Sequence, residues 1–184
     1  MRIIQDLPGT IRAAFVGRSE TAVERFASIG PERLLFYQLV MTFLIAVQVS
    51  VAGRAEARIF TPATMIVGRS PYGILFMPPV AAALTLLWAF IFALMAGVER
   101  RRLPDLFAVF LGSSLFLVPA VIPFIGPDLL VFFLIGWPAL LVRFLAAATG
   151  KTPGRTALLL LGPPAVLFLV FRLFLLTVGM LAFT

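Results

Sequence analysis

Residues 80–98 read VAAALTLLWAFIFALMAGV, a run of 19 residues without a charge, preceded by Pro78-Pro79 and followed by Glu99-Arg100-Arg101-Arg102. As a helix rising 1.5 Å per residue, such a run covers about 28 Å, close to the roughly 30 Å hydrocarbon thickness of a bilayer. The stretch predicts a membrane-spanning helix near 73–98 that starts or kinks at the proline pair.

Working outward, the same pattern repeats. Leu34 to Gly53 is uncharged between Arg33 and Arg54, giving a span near 34–53. Beyond the arginine triplet come spans near 106–125 and 129–148, joined by a tight Gly126-Pro127-Asp128 turn. A last apolar segment, near 157–182, is interrupted only by Arg172 and short polar residues. The expected fold is an all-α, polytopic transmembrane bundle of about five spans, with residues 1–33 as a cytoplasmic segment. Seven of the 14 prolines fall inside predicted spans, so several spans are expected to be kinked and closely packed, because lipid cannot satisfy the carbonyls that proline frees.

Composition agrees. The 184 residues are 61% hydrophobic and 12% charged, with a mean hydropathy of +1.09, against about 25% charged residues in soluble domains. With no His and no Cys, imidazole-ligated haem, thiolate catalysis, disulfides and His-based triads are excluded. The acidic residues all lie near termini or loops, so none is placed for mid-membrane acid–base work. Gly112-Ser113-Ser114, in the third span, has no His or nearby Lys as base and is read as small residues that let helices approach. Thr149-Gly150-Lys151-Thr152 resembles the end of a phosphate-binding loop, but position 145, where the motif needs glycine, is Leu. No enzyme activity, cofactor or metal is expected.

The net charge is +7, and 14 of the 15 cations are Arg. They flank apolar runs instead of forming a patch interleaved with aromatics, which favours anionic lipid over nucleic acid as partner. Eleven cations fall on one side of the predicted spans and three, Arg54, Arg58 and Arg69, on the other. Positively charged loops stay inside, so the N-terminus is expected in the cytoplasm and the C-terminus in the periplasm of a bacterial inner membrane. Arg100, Arg101, Arg102, Arg143, Lys151 and Arg155 are the candidate contacts to anionic head groups.

Residues 1–33 do not form a signal peptide, because Asp6, Pro8 and Arg12 interrupt any apolar core. Ile11, Phe15, Val23 and Phe26 can share one helical face, and Thr21 with Glu24 fits a capping box. An amphipathic helix lying in the membrane interface is expected, with a stub that caps the bundle as the alternative. Arg172 is the candidate intramembrane contact, because Arg at a helix centre costs roughly 2.5–3.5 kcal/mol on insertion. It either pairs with Asp128 or snorkels if the last helix starts near Thr156, and needs another partner if it starts after Pro164.

The layout resembles the Yip family of five-span membrane proteins over residues 34–184. The Ser70-Pro71-Tyr72-Gly73 segment before the second span is similar to that family's Tyr-Gly motif. The charged Glu99–Asp105 turn leads into a span ending with Pro119 and Pro123, and the short Gly150–Arg155 turn precedes a proline-containing last span. The resemblance implies a non-enzymatic protein that binds partners or organises membranes; no site residue is carried over. The expected function is therefore a binding, scaffold or accessory subunit, contacting anionic lipid and other membrane-protein subunits. Nineteen Phe and two Trp leave apolar faces for lipid, pigment, quinone or protein. The alternative is a transporter or channel component using Arg172 and the proline-broken spans.

Overall fold

The structure, a computed structural model, describes residues 8–9, 12, 18–55, 71–121 and 126–181, with side chains for 8–9, 12, 18–48, 50, 74–118 and 136–174 among them. The described residues are all-α, with six long or medium helices and no strand. In chain order they are α1 (Ser19–Ile29), α2 (Pro31–Ala55), α3 (Pro71–Ala96), α4 (Leu103–Ser113), α5 (Gly126–Thr149) and α6 (Pro153–Leu181). Two 3-10 turns adjoin α4, at Arg100–Arg102 and at Ser114–Val121.

Two described helices are by themselves long and apolar enough to cross a bilayer, Ile74–Ala96 and Pro153–Phe174. A third exists if α1 and residues Pro31–Gln48 of α2, bent by 97°, count as one broken span. That is fewer than the five expected from charge-free runs. One physical reason lies in α4, which is 11 residues long and tightens to 3-10 geometry at Ser114. There the Ser113 and Ser114 hydroxyls each donate to a carbonyl three residues back, at 2.7 and 2.6 Å.

Helix boundaries differ from expectation in three places. α3 starts at Pro71 and carries Pro78 and Pro79 within it, so the pair does not begin the helix; each interior proline lacks a donor and presses on the carbonyl four residues back, the cause expected of a kink. Gly126-Pro127-Asp128 forms the first turn of α5 instead of a separate loop, a position where the N–H that proline lacks has no intrahelical partner anyway. α1 starts at Ser19 with Arg18 as an extended N-cap and no side-chain cap, so Thr21 lies inside the helix and makes no capping box.

α1 turns into α2 at Gly30, whose φ of 85° is a conformation that glycine alone adopts without a Cβ penalty. The 97° bend lays α1 across one end of the bundle. Its apolar side packs on α4 and α5. Phe26 is fully buried, its ring against Gly112 of α4 and edge-on to Phe144 of α5 at 5.6 Å. Val23 packs partly buried on the same cluster. The face expected to meet lipid is instead turned onto protein, in keeping with a segment that caps the bundle; Ile11 and Phe15 lie outside the described residues.

The rest of the core follows from small residues that let helices close up. Ala89, Ala93 and Ala96 of α3 are buried along one face, and Phe92 meets Phe110 of α4 at 5.9 Å. Away from that face, α3 exposes Leu84, Leu87 and Leu94, and α2 exposes Phe36, Val40 and Phe43. A belt of this kind is what a bilayer, and not water, tolerates.

Candidate lipid-facing site at the basic end

Two short reversals and α1 meet at one end of the bundle. α3 ends at Ala96, and Gly97, with φ of 64°, turns the chain into Arg100–Arg102. α5 ends at Thr149, and Gly150, with φ of 65°, turns it through Lys151 into α6. Both reversals require the left-handed region, which glycine enters freely.

Between the start of α1 and the α5–α6 turn lies an open cavity of about 610 Å³, lined by Arg18, Glu20, Arg143, Lys151 and Pro153 among others. Here the structure brings together two of the expected head-group contacts, Arg143 and Lys151, and adds Arg18, which sequence reading placed on this side without singling it out. Its signal was position: the residue preceding an amphipathic helix that folds back on the bundle. Arg155, exposed in the first turn of α6, does not line this cavity. The arginine triplet is split by its 3-10 turn. Arg100 borders a groove with Phe90 and Leu94, whereas Arg102 faces a second cavity that also includes Lys151; Arg101 is exposed and lines neither. Clustered cations at this level attract phosphate, each contributing about 1 kcal/mol next to an anionic leaflet.

Polar groups that sequence reading passed over sit inside the bundle. Gln38 Nε2 of α2 donates to Thr85 Oγ1 of α3 at 2.8 Å, and Thr85 Oγ1 donates to the Ala81 carbonyl. Gln38 Oε1 is buried without a partner among the described residues. Trp137 Nε1 of α5 donates to Ser113 Oγ at 2.9 Å, while that hydroxyl donates to the Phe110 carbonyl. Ser113 is thus a structural acceptor whose proton is occupied, in line with the packing reading. The available signal was an amide and an indole inside otherwise apolar runs, groups that demand partners in hydrocarbon. Beside them an apolar groove of about 470 Å³ opens between α3, α5 and α6, lined by Leu84, Trp88, Trp137, Leu160 and Pro164.

Arg172 is exposed on α6 and makes no hydrogen bond or ion pair with another described residue. α6 begins at Pro153 and runs on through Pro163 and Pro164, which selects the earlier of its two possible starts. Arg172 lies 17 residues beyond Arg155, about 25 Å further along the helix and so within reach of the opposite membrane face. Asp128 is in the first turn of α5, but its side chain lies outside those described. Among the described residues no group of three His, Cys, Asp or Glu could hold a metal ion. No protein-family model matches the sequence, and no curated protein or solved structure is significantly similar to it.

Proposed function

We propose that this chain is a non-enzymatic integral membrane protein of the bacterial inner membrane, a binding or accessory subunit of Yip-like layout. In this reading each expected span coincides with a helical segment: α2, α3, α4 with its 3-10 extension, α5 and α6. α4 and that extension together rise roughly 30 Å, enough to cross. The basic end faces the cytoplasm and the C-terminus the periplasm, by the distribution of cations.

One observation carries the subunit reading. Residues 164–174 of α6 are exposed on every side, although α6 packs on α5 and α3 through Thr156 and Leu160 nearer its start. A helix that leaves its own bundle for three turns while carrying Val166, Phe168, Phe171 and Phe174 offers an apolar surface to the helices of another subunit. Arg172 lies on that surface, where a partner's polar group can meet it.

Since the native chain has no Cys, single cysteines at positions 164–174 can be labelled in native membranes. A subunit predicts protection along one helical stripe that disappears when the protein is purified alone. Uniform lipid-like reactivity in both settings refutes it. A water-accessible line through the groove to Arg172 would instead establish the transporter reading.

A further inference from the structure

The cavity on the other side of Lys151 differs in character from the basic one. It has a volume of about 460 Å³ and lies between α1, the α3–α4 turn and the end of α5. Three carboxylates, Glu24, Glu99 and Asp105, and two cations, Arg102 and Lys151, line it. None of these five side chains forms an ion pair or hydrogen bond with another described residue, although both signs surround one space. The floor is apolar, with Ala27, Ala96, Val98 and Leu106.

Its level relative to a bilayer follows from the two strongest spans. Ile74–Ala96 ends one residue before Gly97, and Pro153–Phe174 begins two residues after Lys151. Gly97 and Lys151 both line the cavity, so it sits where hydrocarbon gives way to head groups. The cavity also adjoins a groove. Gly97 and Val98 line both it and the neighbouring space of about 710 Å³ that runs past Phe90 and Leu94 on the exposed face of α3.

We propose that cavity and groove together hold one phospholipid with a zwitterionic headgroup bearing a primary amine. The ammonium is received by Glu99 and Asp105, the phosphate by Arg102 and Lys151, and one acyl chain follows the α3 groove towards Leu94 and Phe90. Charge complementarity selects this occupant. An anionic headgroup such as phosphatidylglycerol carries only an uncharged glycerol beyond its phosphate and offers no cation to the carboxylates. A choline headgroup carries positive charge but no N–H to donate, and charge-assisted hydrogen bonds are the stronger part of such recognition. A free phosphoamine lacks the chain that the groove accommodates.

Native mass spectrometry of the purified full-length protein, incubated with equimolar phosphatidylethanolamine, phosphatidylglycerol and phosphatidylcholine of identical acyl chains, tests this. The ethanolamine lipid is expected to be retained about tenfold over the choline lipid, as for one retained charge-assisted contact. Glu99→Gln with Asp105→Asn should abolish that preference while the melting temperature stays unchanged. Arg102→Gln should weaken all three lipids and leave their ratio as it was. Arg143→Gln, in the basic cavity, should lower phosphatidylglycerol binding and spare the ethanolamine preference. Equal retention of ethanolamine and choline lipids by the wild-type protein overturns the proposal, whether or not the double variant folds. So does a preference that survives the double change, or displacement of the lipid by soluble phosphoethanolamine at equal concentration. Because the protein is purified alone, the outcome is independent of whether α6 has a partner.

Discussion

Gly112→Ala adds one carbon where α4 meets the ring of Phe26. The new Cβ would lie 2.5 Å from Cγ and Cδ1 of Phe26 and 2.9 Å from its Cε1, against about 3.5–4.0 Å for carbon atoms in contact. An overlap of about 1 Å must be relieved, and little around it can yield. Phe26 is fully buried and braced edge-on by Phe144 at 5.6 Å, and Gly112 sits within the buried run Ala108 to Ser114. With the ring buried and braced, overpacking falls in the upper part of its usual range, about 2–3 kcal/mol, and alanine returns roughly 1 kcal/mol in helix propensity. The expected net loss is about 1–2 kcal/mol, which at 2–4 °C per kcal/mol lowers the melting temperature by about 2–8 °C. The loss should appear first as release of α1, read as faster proteolysis between α1 and α2 in detergent. In a Phe26→Ala background the ring is absent, so Gly112→Ala should be neutral or stabilising there, although Phe26→Ala alone costs about 3–5 kcal/mol. Gly162→Ala, whose Cβ would meet nothing within 4 Å, is the control and should be neutral or better. A Gly112→Ala protein as stable as wild type, or a loss of equal size in both backgrounds, refutes the account of how α1 is docked.

Three further substitutions separate the roles of buried polar groups. Gln38→Leu removes the orphaned Oε1 together with its amide and is expected to be neutral or stabilising in a detergent melt, whereas Thr85→Val strands the Gln38 Nε2 donor and should cost about 1–3 kcal/mol. Trp137→Phe deletes the 2.9 Å bond to Ser113 and should cost about 0.6–1.7 kcal/mol, the range for interhelical bonds in membranes; thermal unfolding of the purified protein measures it. Arg172→Leu should leave insertion intact or improved, since the span loses a charge near its far end, but should weaken co-purification of a subunit bound at α6; unchanged stability and an unchanged complement of bound proteins would reduce Arg172 to a snorkelling residue.

The helices were legible because a charge-free run as long as a bilayer is thick must satisfy its own backbone, which in a single segment only a helix does. Their number as independent spans was not, because hydropathy does not register where α4 gives way to 3-10 geometry at Ser114, beside the Ser113 and Ser114 hydroxyls bonded to the backbone. Nor does an amphipathic pattern say what its apolar face meets. Val23 and Phe26 read the same whether lipid or Gly112 lies opposite, and only the Gly30 reversal combined with the absence of a side chain at Gly112 decides it. At the basic end the cations could be counted from sequence, but not sorted. Arg143 and Lys151 line one cavity, Lys151 and Arg102 another, and Arg101 neither. What sorts them is the phase of two glycine turns and a three-residue 3-10 helix. The carboxylates that share Arg102's cavity come from three separate segments, α1, the α3–α4 turn and α4, so no local motif announces them.

The distribution of packing bears on how the functional proposals can be tested. The fully buried phenylalanines, Phe26, Phe92, Phe110 and Phe144, lie on α1, α3, α4 and α5, in one interlocked cluster that also takes up Leu34 and Tyr37 of α2 and Leu160 of α6. Beyond Pro164 none of the described side chains of α6 adds to that cluster. Substitutions from Val166 to Phe174 therefore leave the buried cluster untouched, and surface changes away from such features usually stay within about 0.5 kcal/mol. A change of association at Arg172 can then be read as a change of association, and not as unfolding. The lipid cavity has the opposite constraint. It is walled by α1 and α5, whose apposition depends on Phe26, so loss of lipid selectivity counts against Glu99 and Asp105 only when the Phe26–Gly112 contact is shown to survive. The Gly112→Ala protein supplies that calibration: it should lose α1 docking and lipid retention together, whereas Glu99→Gln with Asp105→Asn should lose the selectivity alone.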